Sequence, residues 1–261
     1  MDPSPSLAYY YIGQTKFLRK VMADAKGNYS RGLEFNKIHY KCMIGLYELM
    51  MSQKQHDQAY EVVKRVSQYF PANPKRLTEV LRLAIINGKY EDVEKYYAVF
   101  VNIDEREETL IKYICAALVV CGKYYLGIKA KTRALELFQK AAATGYGRSK
   151  ILKEIVQVLV DFNLPKEARM YLDKFPFDTR KSAEFLLMEF LVVDMTCHPG
   201  VSIDTGRKLI AQGVFDEHLY AVLIQRHYDA KLNSAAGDLI YDAIKKFPKR
   251  KDAFEKMRQA S

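Results

Sequence analysis

The chain has no tryptophan, four cysteines and five scattered histidines, and its 261 residues include only 8 prolines and 13 glycines. So few breakers over that length argue against a loop-rich or collagen-like chain and favour long helical stretches. Cys42, Cys115, Cys121 and Cys197 form no CxxC pair, and Cys42 and Cys115 sit inside apolar helical patterns. A disulfide framework or zinc site therefore finds no support, no metal or cofactor is expected, and a reducing, cytoplasmic compartment is the simpler expectation. The opening MDPSPSLAYYYIGQTKFLRK lacks a basic lead followed by an apolar core, so it does not read as a signal peptide. The apolar run from Tyr113 to Val120 is too short to cross a membrane, and no membrane insertion is expected. There is no P-loop, HExxH or GxSxG. Cys197-His198 before Pro199-Gly200 reads as a turn, and His227 as a core histidine. No catalytic residue is assigned, and an enzyme is not expected.

What is present is 49% hydrophobic residues, ample for a core, and 41 basic against 31 acidic residues, a net charge of +10. That excess permits an acidic partner without choosing its class. A small residue marks a period. Val93 follows Ala59 by 34 residues, Ala134 follows Val93 by 41, Ala168 follows Ala134 by 34, and Ala236 follows Ala168 by 68, which places a hidden unit at Ser202. Pro71 and Pro248 each follow their alanine by 12 and stop a helix after Phe. Asn73-Pro74 supplies a cap and a first-turn proline for the next helix. Each unit carries two apolar stripes, such as Met43, Leu46, Tyr47 and Met50 with Ala59, Val62, Val63 and Val66, which is an antiparallel helix pair.

From Tyr40 to Pro248 this pattern resembles the tetratricopeptide repeat, on the strength of Leu46-Tyr47, Leu81, Gly88, Tyr90, Ala59, Ala134, Ala168, Ala236, Pro71 and Pro248. The stretch ALELFQKAAATGYGRSK, with Gly145 and Gly147, is also similar to the Sel1-type repeat. The resemblance implies an all-α, right-handed superhelix of about six helix pairs. Val93 and Ser202 depart from the alanine of the pattern, and the unit from Ala183 to Gly213 is degenerate. The domain plan is an N-terminal helix (1–28), the array (29–248) and a basic C-terminal helix or tail (249–261).

The phrase Gly-Lys-Tyr opens both NGKYEDVEKYYAVF and CGKYYLGIKAKTRALELF, yet the second is seven residues longer, near 123–133. Seven residues are about two helical turns, so the surplus keeps the buried face in phase and is expected to extend a helical hairpin as a protrusion. Tyr124, Tyr125 and Leu126 then form either an exposed interaction patch or cover for the hairpin's own core.

The resemblance places the first helix of each unit on the concave face. Beside its packing stripe stand Lys41, Ile44, Glu48 and Met51, then Lys75, Thr78, Arg82 and Ile85, then Thr109, Lys112, Ala116 and Val119, then Lys150, Lys153, Gln157 and Val160. Cations with aliphatics suit an acidic protein segment, so Lys41, Lys75, Arg82, Lys112, Lys150 and Lys153 are the candidate peptide-binding residues. The expected function is a protein-interaction scaffold, possible within a larger signalling or assembly protein. The alternative is an RNA-binding array, which lacks here the regular polar series that reads bases. Over 6–26 the spacing predicts one helix with a stripe of Leu7, Tyr11, Gln14, Leu18, Val21 and Ala25, widened by Tyr10, Phe17 and Met22. That helix either caps the array or, through Tyr10, Phe17 and Leu18, forms a homodimer seam.

Overall fold

The computed structural model describes residues 4–71, 73–103, 107–144 and 148–259, and every regular element among them is helical. Residues up to Gly147 form one compact unit and those from Arg148 another. The first unit holds α1 (Pro5–Leu18), α2 (Met22–Phe35), α3 (Tyr40–Ser52), α4 (His56–Tyr69), α5 (Pro74–Ile86), α6 (Tyr90–Val101), α7 (Glu108–Gly127) and α8 (Lys131–Ala143). The second holds α9 (Arg148–Asp161), α10 (Pro165–Leu172), a 3-10 turn (Phe177–Lys181), α11 (Ala183–Thr196), α12 (Pro199–Ala211), α13 (Glu217–Asp229), α14 (Asn233–Lys246), a 3-10 turn (Pro248–Arg250) and α15 (Lys251–Gln259). Within each unit odd and even neighbours pair, and successive pairs stack, as α4 does on α5, α5 on α7 and α9 on α11. Gly145 and Gly147 of the Sel1-like stretch, and Asp2 before α1, lie outside the described residues.

The periodic small residue holds one place in every pair and is buried there. Ala59, Val93, Ala134, Ala168, Ser202 and Ala236 are each the fourth residue of their second helix, and each is 0% exposed. Ser202 fits the same place because its Oγ donates to Asp194 Oδ1 at 2.6 Å, and Asp194 is held by Arg226 at 2.7 and 2.9 Å. A polar atom there is satisfied rather than orphaned.

The turn inside each pair recurs as well. Lys20, Lys54, Gly88, Lys129, Asn163 and Lys231 stand two residues before a second helix with φ between 55° and 65°. At each, the next amide bonds back five residues, as Gln55 N does to Met50 O and Ala130 N to Tyr125 O, which closes the first helix in a Schellman motif. The α11–α12 turn is the exception: His198 caps α12 by accepting from Gly200 N, and Pro199 starts it. Elsewhere the sequence signals act as read: Asn73 Oδ1 accepts from Arg76 N at 3.1 Å ahead of Pro74.

Three expectations need correction. The segment 6–26 is not one helix but parts of two, α1 and α2, turning at Lys20 and joined by Ser6 Oγ donating to Gly32 O at 2.7 Å. Ala25, 34 residues before Ala59, is the fourth residue of α2 and fully buried, so this pair is in register with the rest. The buried side of α1 runs through Ser6 and Gly13, with Tyr10 and Phe17 half-buried, one residue out of step with the stripe through Leu7, Tyr11 and Leu18. Small residues take the contact because Tyr29 fills the space: a Cβ on Gly13 or Gly45 would lie within 2.7 Å of its ring. The third correction concerns α7, which at 20 residues is long and apolar enough to cross a membrane by length and composition. It is spent on the core instead, with Leu110, Ile114, Leu118 and Cys121 fully buried, and it packs on α5 and α8.

The seven-residue surplus falls entirely in that helix: α5 has 13 residues and α7 has 20. The same Gly-Lys-Tyr is a turn at Gly88 and mid-helix at Gly122, where the absent side chain admits Phe138. Between repeats, polar bridges join one pair to the next. Tyr60 Oη donates to Asp92 at 2.6 Å, and Lys64 and Lys95 reach the same carboxylate at 2.9 and 2.7 Å. Burial alone would raise the Asp92 pKa, but the hydrogen bonds from Lys95, Tyr60 and Lys64 more than offset it and hold the carboxyl well below the usual range.

Three outcomes follow in urea unfolding. Gly122→Ala puts a Cβ 2.3 Å from Phe138 and is expected to cost about 1–3 kcal/mol. Lys54→Gly relieves a left-handed residue and is expected to gain several tenths to about 1 kcal/mol. Asp92→Asn is destabilising at neutral pH. Because the folded carboxyl is depressed, its contribution is present above the unfolded pKa and fades as pH falls from about 4 towards about 2, so the gap between parent and variant narrows over that window. A gap independent of pH would contradict the assignment.

Candidate functional site

The first helices leave one side uncovered at the phase read from sequence. On α3, Lys41 and Glu48 are exposed and Ile44 and Met51 half-buried; on α5, Lys75 is exposed and Thr78, Arg82 and Ile85 half-buried. On α7, Thr109, Lys112 and Ala116 are exposed, while Val119 is buried. In the second unit, Lys150, Lys153 and Gln157 of α9 are exposed and Val160 is half-buried.

These cations are not equivalent. Arg82 is engaged within the fold: its Nη2 lies 2.9 Å from Glu79 Oε2, which also accepts from Tyr47 Oη of the preceding repeat. Burial opposes ionisation of Glu79, but the Tyr47 and Arg82 hydrogen bonds outweigh it and lower its pKa; burial and Glu79 push the Tyr47 phenol up to about 12. Lys153 pairs with Glu184 at 2.8 Å, an exposed bridge worth little. Lys41 Nζ lies 5.6 and 5.5 Å from the ring centroids of Tyr10 and Tyr11. Lys75, Lys112 and Lys150 are exposed.

The tip of α7 differs from an exposed patch. Tyr125 is 3% and Leu126 7% exposed, so of the three residues only Tyr124, at 41%, reaches solvent. Tyr124 stacks on Tyr90, 34 residues earlier, with centroids 4.1 Å apart, and the Arg133 guanidinium lies 4.4 Å from the Tyr125 ring. The hairpin covers its own core, and with Gly88 to Asp92 these tyrosines line a cleft of about 300 Å³. Of the residues proposed for self-association, Tyr10 and Phe17 pack against Ala25, Tyr29, Leu46 and Leu49, and Leu18 is 72% exposed.

His227 is a satisfied core residue: fully buried, its Nδ1 lies 2.7 Å from Leu223 O and its Nε2 2.8 Å from Arg207 Nη2. Donation from Nδ1 leaves Nε2 to accept from the guanidinium. No group of three or more His, Cys, Asp or Glu among the described residues could hold a metal ion. Sequence reading missed the bridges Tyr47–Glu79, Tyr60–Asp92 and Arg226–Asp194, yet all three join residues 32 apart, so complementary polar groups just under one period apart were the available signal.

No protein-family model and no curated protein matches the chain. Solved structures do. A tetratricopeptide repeat protein from Parabacteroides merdae is similar with a TM-score of 0.51 at 16% identity, over 79% of this chain and 79% of its own. PilF of Pseudomonas aeruginosa is similar at 0.41 and 17% over 87% and 97%, and yeast Tom70 at 0.42 and 14% over 93% and 62%. The first of these, with the helix pairs and the buried small residue every 34 positions but for one interval of 41, shows the fold: this chain is built as a tetratricopeptide-type helical repeat.

Proposed function

We propose that the chain is a non-catalytic protein-interaction scaffold that holds an acidic segment of a partner against the uncovered side of α3, α5 and α7. The observation that carries this reading is the phase of the exposed positions. Lys41, Lys75 and Lys112 recur on successive first helices beside half-buried Ile44, Met51 and Ile85, a mixture that takes carboxylates and apolar anchors together. Arg82 belongs to the rim of this surface but is committed to Glu79 and Tyr47. A reducing, cytoplasmic setting accords with four free cysteines, three of them buried.

The test is affinity capture from lysate with and without nuclease, followed by measurement of the recovered complex. A nuclease-resistant protein partner is expected, binding less tightly as salt rises because exposed charges are screened over about 10 Å at 0.1 M. Lys75→Glu with Lys112→Glu should weaken it severalfold without altering the fold, since both side chains are exposed. A partner indifferent to that double change removes this surface from the reading. Capture that vanishes with nuclease would favour the RNA-binding alternative.

A further inference from the structure

In the first unit, positive charge collects at one end of the helix pairs. The connections inside its four pairs, 19–21, 53–55, 87–89 and 128–130, hold Arg19, Lys20, Lys54, Lys89 and Lys129 and no acid. The connections between pairs, 36–39, 70–73 and 102–107, hold two cations and three acids. All five cations inside the pairs are exposed, and among the described residues none of them forms an ion pair. Four acids follow in the first turns of α2, α4 and α6. Asp24 is met by Lys16 at 3.2 Å and Asp92 by Lys64 and Lys95, which leaves Asp57 and Glu91 against the five. Lys20, Lys54 and Lys129 also stand at φ of 58–62°, a position glycine takes at lower cost. A lysine there meets the negative end of its helix. That role needs no apolar neighbour, and these turns have them.

Leu18, Val21, Ile86, Tyr124 and Ile128 are 41–72% exposed at the same turns. Leu18 and Val21 bracket Arg19-Lys20, Ile128 precedes Lys129, and Ile86 comes three residues before Lys89. Phe35, Ile38, Tyr69 and Val101 are exposed at the other end of the pairs, where the charges are mixed. The four turns are neighbours. Phe17 and Met22 pack on the cluster that holds Leu49, Asn87 Nδ2 donates to His56 O at 3.0 Å, and Tyr124 stacks on Tyr90.

From this juxtaposition we infer that the turn end of the first unit is an attachment surface for an anionic lipid bilayer. Leu18, Val21, Ile86 and Ile128 enter the headgroup layer, while Arg19, Lys20, Lys54, Lys89 and Lys129 meet lipid phosphates and carboxylates. Exposed aliphatics beside unopposed cations are what such a surface rewards, and the amphipathic ring of Tyr124 suits the same depth. A nucleic acid would use the charges and gain nothing from the aliphatics. The inference is independent of the scaffold reading, since none of these residues belongs to the α3, α5 and α7 surface proposed above.

The test uses the full chain, which has no tryptophan, so Ile128→Trp reports on its own site. The probe is vesicles of phosphatidylcholine with about one part in four phosphatidylserine, compared with phosphatidylcholine alone. The chain is expected to co-sediment with the first and not the second, and to be released as salt rises. On binding, the Trp emission is expected to move to shorter wavelength, whereas Ile38→Trp at the other end is expected to stay unchanged. Lys20→Gly with Lys54→Gly and Lys129→Gly suits the left-handed turns and is expected to weaken partition at least about tenfold. Leu18→Ser with Ile128→Ser is expected to weaken it severalfold and leave its salt dependence in place. No partition, equal partition onto both vesicles, partition unchanged in the glycine variant, or a shift at Ile38 but not Ile128 would each overturn the inference. So would oligouridine binding that the glycine variant loses, with no vesicle binding, which assigns the row of cations to nucleic acid.

Discussion

Everything in this fold depends on how closely two helices approach at one residue per repeat. The fourth residue of each second helix is fully buried, and at six of seven such positions from Ala25 to Ala236 it is Ala or Val. A larger side chain there would lift the helices apart and strip contact from the whole stripe on either side. The turn preceding it is fixed by the same need. In six of the seven pairs the second helix is brought back within three residues through a left-handed conformation, and at four of those six turns a lysine takes that strain in place of glycine.

Variation is confined to places that leave this contact alone. In the first unit α7 gains seven residues, about two turns, so Tyr125 and Leu126 return to the buried side and Tyr124 comes to rest on Tyr90. In the second unit α10 loses a turn or more after its fourth residue, Ala168, has been seated. No residue is lost there: Ser202 still follows Ala168 by 34, and the positions after α10 form the connection and the 3-10 turn Phe177–Lys181.

Much of this was legible because apolar spacing reports directly on burial. Six of the seven small contacts follow from counting along the chain. The seventh, Ala25, was hidden because its partner helix is buried through Ser6 and Gly13, residues that hydropathy does not mark as core. Tyr29 supplies the bulk instead, from the neighbouring helix, and a single stripe cannot reveal that division of volume. The lysines of the first helices were readable as exposed. That Arg82 is committed to Glu79 and Tyr47 was not, since the bond joins side chains from two repeats and depends on their three-dimensional register.

That distinction among cations bears on where the charge of the chain acts. Arg133, Arg226 and Lys64 bridge different helices to Glu94, Asp194 and Asp92, and Arg82 pairs with Glu79 on its own helix, where a planar fork or a short reach suits a partly buried carboxylate. Every such pair consumes one cation and one anion, so pairing can stabilise the stack but cannot dispose of a net +10. The excess must stand on exposed side chains. On α3, α5 and α7 part of it sits beside half-buried aliphatics. Positive charge next to apolar surface costs little when the lysine stem lies along that surface and the ammonium stays in water. The same arrangement gives a partner both a long-range attraction and a short-range place to stop.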